Sequence, residues 1–268
     1  MDSTVKLLHG DCLQLMPEHI ADSSVDLILA DLPYGTTRCV WDTIIPLDRL
    51  WEEYKRVIKP GGAIVLFASQ PFTSALVMSN PGMLKYDLVW DKRTPVGHLT
   101  ANIRPLRKHE TILVFGDGRT TYVPQKTTGK LRSKGGYGDA IKPGVYGDFE
   151  VNKLTLVNDQ YYPTSILEIP AKRSNLDHPT EKPVPLLEYL IRTYSNPGEL
   201  VLDNTMGSGS TGEACISTGR DFVGMELYPL PAKPVDPVKN PDYFYIAQRR
   251  LEEVAARPKQ LAMFGEGT

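Results

Sequence analysis

"VLDNTMGSGSTGEACISTGRDFVGMEL", residues 201–227, decides how the rest of the chain reads. It begins with a short apolar run of strand type and passes through a glycine-rich turn. A helical stretch follows over 210–218, then a second apolar run over 221–226 that ends on an acid. Gly207, Gly209 and Gly212 spell GxGxxG, and Glu226 stands 19 residues after Gly207. Strand, glycine turn, helix and strand make the unit that seats a nucleoside ligand. The glycines let the backbone approach the ligand, and the acid at the second strand end can hold ribose hydroxyls. Dinucleotides and S-adenosylmethionine both use this architecture, and the motif alone does not separate them.

Only about 55 residues follow Gly212, too few to build a nucleotide-binding sheet onward from this unit. The remaining strands must come earlier in the chain, as in a circular permutation. Apolar runs of strand length lie at 6–9, 25–30, 62–68, 86–90 and 111–115, joined by 199–203 and 221–226. Helical patterns lie near 12–19, 46–58, 72–79, 184–195, 210–218 and 241–254. In "IPLDRLWEEYKRVIKPGG", Leu47, Leu50, Trp51, Tyr54 and Ile58 share one face, and Pro60-Gly61-Gly62 supplies a stop. Strand–helix alternation with apolar strands predicts an α/β fold with a mostly parallel sheet covered on both faces. The alternation fails between about 116 and 165, a Gly-, Lys-, Tyr- and Thr-rich stretch too long for an ordinary connection. A second irregular patch, 229–241, carries five prolines.

The bulk composition excludes several classes. With 268 residues, 41% apolar and 23% charged, the chain can bury a real core. No apolar run reaches membrane-spanning length, and "MDSTVKLLHGD" lacks the basic-then-apolar order of a secretory signal. Cys12, Cys39 and Cys215 form no CxxC pair, so neither a zinc site nor a disulfide framework is expected, and a cytoplasmic setting fits. Net charge is −2, yet Lys85 to Lys142 holds twelve Lys or Arg against five acids. A basic middle on a mildly acidic protein suggests a local face for a polyanion.

"DLPYG", residues 31–35, follows the apolar run "VDLILA". Strand ends are where α/β folds collect their chemistry. "DLPY" (31–34), the basic stretch, "HPTEKP" (178–183) and "DNTMGSGSTG" (203–212) occur in that order, with "HGD" at 9–11 and "RPLRKHETILVFG" at 104–116. In this order the chain resembles the permuted, β-class DNA amino-methyltransferases over nearly its whole length. Leu32 departs from the family's usual Asp-Pro-Pro-Tyr. It still precedes Pro33, which favours an extended backbone, and no loss of activity is expected.

The resemblance implies a Rossmann-like class I S-adenosylmethionine-dependent methyltransferase fold with an inserted target-recognition region. Residues 1–115 would form the catalytic half, 116–170 the insert and 171–268 the cofactor-binding half. The reaction it implies is methyl transfer to N6 of a flipped-out adenine, with N4 of cytosine as the alternative. Such enzymes serve restriction–modification and act on double-stranded DNA. A homodimer is compatible with the family, and neither a metal nor a membrane is required. Asp31 and a carbonyl of Leu32 or Pro33 would accept from the target amine, and Tyr34 would stack on the base. Asp11, Cys12, Thr180, Lys182, Asp203, Gly207, Gly209, Thr211 and Glu226 would hold the cofactor, Glu226 on its ribose and Lys182 near its carboxylate. Lys92, Arg93, Lys130, Arg132 and Lys134 are candidate phosphate contacts. A nicotinamide-dependent oxidoreductase would use the glycines but leave "DLPY" and "HPTEKP" without a role. A DNA-binding module without catalysis would have no use for Asp31.

Overall fold

The computed structural model describes residues 3–37, 39, 42–134, 156–172, 181–229, 235–236 and 242–257. They form two compact units, residues up to Val123 together with Ser165 onward, and Pro124–Thr164. The first contains strands β1 (Val5–His9), β2 (Val25–Ala30), β3 (Ile58–Ala68), β4 (Leu84–Val96) and β5 (Arg107–Phe115). Later in the chain it adds β8 (Ile166–Glu168), β9 (Leu200–Asp203) and β10 (Asp221–Glu226). Its helices are α1 (Cys12–His19), α2 (Leu47–Val57), α3 (Phe72–Ser79), α4 (Val184–Tyr194), α5 (Ser210–Thr218) and α6 (Tyr243–Ala255). No helix among the described residues is long and apolar enough to cross a membrane.

The eight strands make one sheet in the order β1-β10-β9-β2-β3-β5-β4-β8. From β1 to β3 all neighbours are parallel, and β5 runs antiparallel between β3 and β4. The interior strands read as continuous apolar runs because both of their faces are covered. Ile28, Ala30, Ile64 and Leu66 join the cluster fed by α1, α2 and α3. Their alternating neighbours Leu27, Leu29, Ala63 and Val65 join the cluster fed by α4, α5 and α6. The period of two along each strand thus sends alternate side chains into opposite cores.

Two expectations change. α2 ends at Val57, and Ile58 already has extended backbone and opens β3. Pro60-Gly61-Gly62 therefore lies inside the strand and is not the stop. The basic middle stretch is not wholly irregular. β6 (Thr127–Lys134) and β7 (Leu156–Tyr161) pair antiparallel within the second unit. The flanks of that stretch belong to the first unit. Thr121 donates its N–H to the Gly61 carbonyl (2.8 Å) and Val123 to that of Thr193 (2.8 Å), while β8 pairs with β4.

Candidate active site

β2 and β9 are neighbours although more than 170 residues separate them. From β2 the chain passes through α2 to β3 on one side, and from β9 through α5 to β10 on the other. Such a switch of direction leaves a crevice at the carboxyl ends of the two strands. Asp31 follows β2 and Asp203 ends β9. A cavity of about 490 Å³ opens there, within the size range of small-molecule sites. It is lined by Asp11, Cys12, Asp31, Leu32, Pro33, Tyr34, Lys182, Asp203, Gly207, Thr211 and Glu226, all expected from the sequence.

On the β2 side, Asp31 is held from several directions. The Tyr34 hydroxyl donates to Asp31 Oδ1 (2.7 Å), and the Tyr34 ring stacks on Phe72 with centroids 5.3 Å apart. The Thr205 hydroxyl donates to the Asp31 carbonyl oxygen (3.1 Å). Lys182 Nζ donates to Asp31 Oδ2 and lies 3.4 Å from Glu110 Oε2. Lys92 pairs with the other oxygen of Glu110. Burial pushes the Asp31 carboxyl above its ordinary range. Lys182 opposes that rise and Glu110 adds to it. Burial also raises Glu110, but Lys182 and Lys92 outweigh it and hold that carboxyl below its ordinary value. Burial alone would lower Lys182, yet Asp31 and Glu110 lift it, so it stays charged. The loop after Tyr34 closes on Asp42, whose carboxylate accepts the N–H groups of Gly35 (2.8 Å), Thr36 (2.9 Å) and Thr37 (2.7 Å).

On the β9 side, among the described residues, the carboxylates have no such counter-charge. Asp203 accepts from the Thr205 N–H (3.0 Å) and from the Thr211 side chain. Glu226 accepts from the N–H groups of Gly207 (3.0 Å) and Tyr228 (2.8 Å). Burial pushes each carboxyl up to about 7. Asp11 caps α1 by accepting the Leu13 N–H (2.9 Å), and burial pushes the Cys12 thiol up to about 11. Asn204 is fixed beneath the cavity by the Tyr54 hydroxyl (2.6 Å) and in turn donates to Cys12 Sγ (3.5 Å).

Some expected residues sit elsewhere or do other work. Gly209 does not line the cavity. It begins α5 at φ +79°, and a Cβ there would stand 3.0 Å from Ala247 Cβ of α6. At Gly212 a Cβ would stand 2.7 Å from Leu251. Two of the three motif glycines therefore serve helix packing. Lys182 lines the cavity and there pairs with Asp31 and Glu110. Lys92 is largely buried against Glu110, so it does not present its charge to phosphate as expected. Arg93 is exposed and pairs with Glu168 (2.7 Å). In the second unit, Arg132 lies over the Tyr161 ring (3.9 Å) and donates to the Gln160 carbonyl (3.1 Å), while the Lys130 side chain is exposed. Lys134 ends β6. Thr180 and the Lys134 side chain lie outside the described residues.

The residues missed from sequence are Glu110, Asp42, Thr205, Asn204 and Arg250. Thr205 and Asn204 lie inside the motif "DNTMGSGSTG" and Glu110 inside "RPLRKHETILVFG", so these three carried a local signal. Arg250 of α6 reaches Glu181 (2.8 Å), Glu213 (2.7 Å) and the Ser208 carbonyl (3.4 Å). It ties "HPTEKP" to the glycine turn.

The cavity's charge separates the two ligand classes the motif left open. Among the described residues, seven acids line it, Asp11, Asp31, Asp42, Glu110, Glu181, Asp203 and Glu226, with one lining cation, Lys182, while Lys92, Lys172 and Arg250 pair with Glu110 and Glu181 from outside the lining. Asp203 and Glu226, once ionised, would repel a pyrophosphate seated on the glycine turn they border. A ligand with a positive centre and ribose hydroxyls meets complementary groups instead. At the neighbouring strand end, a buried carboxylate can accept from an amine.

Comparison with known proteins agrees with this chemistry. The chain is 29% identical over 262 residues to the DNA adenine methyltransferase YhdJ of Escherichia coli strain K12, covering 92% of this chain and 82% of that protein. It is 26% identical over 243 residues to the type II methyltransferase M1.MboII of Moraxella bovis, covering 83% and 91%. The crystal structure of an M1.HpyAVI–SAM complex has the same fold, with a TM-score of 0.59 at 24% identity over 92% of this chain and 99% of that one. So does the cytosine-N4-specific PvuII DNA methyltransferase, with a TM-score of 0.63 at 16% identity over 95% and 92%. The family of N6/N4 DNA methylases matches residues 25–230, and the chain, with its acid-lined crevice between β2 and β9, belongs to that family.

Proposed function

We propose that the protein transfers a methyl group from S-adenosylmethionine to the exocyclic N6 of an adenine flipped out of double-stranded DNA. One observation carries this reading. Asp31 stands at the cavity with its carboxylate oriented by the Tyr34 hydroxyl and Lys182, beside a floor of Asp203 and Glu226 that suits a cationic nucleoside. When bound, S-adenosylmethionine supplies an electrophilic methyl on a sulfonium. The rest of the chemistry falls to the chain's own residues. An exocyclic base amine is a poor nucleophile because its lone pair is delocalised into the ring. Asp31 accepts one of its N–H bonds and a carbonyl of Leu32 or Pro33 accepts the other, which localises that lone pair. Thr205 fixes the backbone of Asp31, so the acceptors are aimed before the base arrives. The nitrogen gains its bond to the methyl as the sulfonium S–C bond breaks, which would leave neutral S-adenosylhomocysteine, and the nitrogen gives up one proton to solvent. The base cannot be reached inside a duplex, which is why flipping is part of the reading. One face of Tyr34 is taken by Phe72, and the other is offered to the base.

In this reading Glu226 takes the cofactor's ribose hydroxyls, Asp11 its adenine amine, and Asp203, Gly207 and Thr211 its methionine side. The motif order is the permuted one of the β class, with residues 1–115 and 171–268 as the two halves. The recognition insert lies within 116–170, and Lys130, Arg132 and Lys134 contribute phosphate contacts. The enzyme acts in the cytoplasm, in a restriction–modification setting or alone, and a homodimer suits it. The adenine assignment draws support from the named activity of YhdJ and from the carboxylate at position 31, a charge-assisted acceptor roughly twice as strong as a neutral one. DNA incubated with the protein and S-adenosylmethionine, then digested to nucleosides, should yield N6-methyladenine by mass spectrometry. N4-methylcytosine without N6-methyladenine would overturn the choice of base.

A further inference from the structure

Lys92, Glu110, Lys182 and Asp31 form a row of alternating charge that ends on the Tyr34 hydroxyl. Lys92 comes from β4, Glu110 from β5, and Lys182 from the segment entering α4. Both ammonium groups lie over aromatic rings, Lys92 5.1 Å from the Trp90 centroid and Lys182 5.0 Å from that of Phe67. Glu110 Oε2 is buried, and among the described residues Lys182, at 3.4 Å, is the group that meets it.

We propose that Glu110 is a positioning residue for Asp31. By competing for Lys182, while Lys92 holds it in place, Glu110 sets how much of the lysine's charge reaches the Asp31 carboxylate. The inference rests on Asp31 being the acceptor of the target amine. A carboxylate fully paired with an ammonium is a weak acceptor, and a buried carboxylate with no cation takes up a proton. A shared lysine holds Asp31 between these limits. The charged and titratable groups facing Asp31 are Lys182, Glu110, Asp203 at the end of β9, and Tyr34 on its own segment. Lys92 acts through Glu110. Glu110 raises the Asp31 pKa, and Lys182 lowers it.

Glu110 and Lys92 therefore have opposite effects on Asp31. Glu110→Gln removes the competitor, so Lys182 settles on Asp31 and the acid limb of the pH–rate profile moves to lower pH. The limiting rate falls about tenfold, less than direct loss of a preorganised group costs. Lys92→Met frees Glu110 to draw Lys182 from Asp31, and the acid limb moves to higher pH. Lys92→Arg keeps the cation and the wild-type limb. The measurement is single-turnover transfer of labelled methyl from S-adenosylmethionine to DNA across pH, with cofactor affinity followed by calorimetry. Displacements of opposite sign, at unchanged cofactor affinity, support the proposal. Limbs that stay put, or move the same way, overturn it. If Glu110→Gln fails to fold, the lysine pair decides: an upward move with Met and none with Arg supports the proposal, and any other result overturns it. A wild-type protein that methylates no DNA sinks the methyltransferase reading and this inference with it. A wild type that methylates while the variants keep its profile sinks this inference alone.

Discussion

Asp31 and the pair Asp203 and Glu226 are buried carboxylates on adjoining strand ends, and they are treated in opposite ways. Asp31 has an ammonium on one oxygen and a phenol on the other. Asp203 and Glu226 are met by backbone amides and a threonine side chain, and among the described residues no cation pairs with either. Burial acts upward on all three, and only for Asp31 does a lysine oppose it. In the function proposed above, the difference follows from what each must meet. An acceptor for a neutral amine has to be ionised before its partner arrives, so the chain carries the counter-charge itself. Carboxylates that await a cationic ligand can leave the counter-charge to the ligand.

Substitutions on the two sides should separate chemistry from cofactor binding. Asp31→Ala should lower methyl transfer by about 10²–10³ or more, while calorimetric affinity for S-adenosylmethionine stays near wild type. Equal losses in both would erase the distinction. Glu226→Ala should do the reverse, weakening the cofactor by about 1.5–3 kcal/mol, the scale of hydrogen bonds to a charged group. DNA binding without cofactor should be unchanged in an electrophoretic shift.

The uncompensated side also has a signature in stability. Asp203 keeps its proton in the folded protein up to about 7, whereas in an unfolded chain it ionises near its ordinary value of about 3.9. Between those limits the folded state binds more protons, so this group's contribution to stability is lost as pH rises, and the loss levels off above about 7. Thermal unfolding of ligand-free wild type against Asp203→Asn should reveal a wild-type disadvantage that grows over this window. S-adenosylmethionine should narrow it. A gap independent of pH would mean that Asp203 is ionised throughout. The smallest effect is expected at Tyr34→Phe, which removes one hydrogen bond to Asp31 but keeps the stack on Phe72. A rate loss within about tenfold, matching the ~0.5–1.5 kcal/mol of a typical hydrogen bond, is the expected kinetic result.

The sheet was legible because its central strands are apolar on both faces. "VDLILA" reads as a strand without reference to anything distant. β6 and β7 were not legible: "TTGKLRSK" and "LVNDQY" offer no sustained alternation, since neither belongs to the sheet whose two covered faces impose a pattern. In the site, Asp31 and Glu226 could be found because each ends an apolar run. Glu110 could not be found in that way. In "RKHETILVF" it stands among charged residues at the open end of a strand and reads as solvent-facing. Only the pairing of β4 with β5, Trp90 opposite Glu110, and the approach of Lys182 turn it inward. Asp42 is hidden for a related reason, because it caps amides five to seven residues earlier that come together only when the loop folds back. The glycine motif was legible as a motif, but the division of labour within it depends on α6, which the local sequence does not contain.

That last helix works as a tie rod. Ala247 and Leu251 are the surfaces on which Gly209 and Gly212 close, and Arg250 bolts Glu181 to the turn at Ser208. Of the segments that touch the cavity, two are therefore held at their working separation by thirteen residues near the end of the chain. Unlatching α6 would slacken the glycine turn and the approach of Lys182 together, so damage there would reach Gly207 and Asp31 in one stroke.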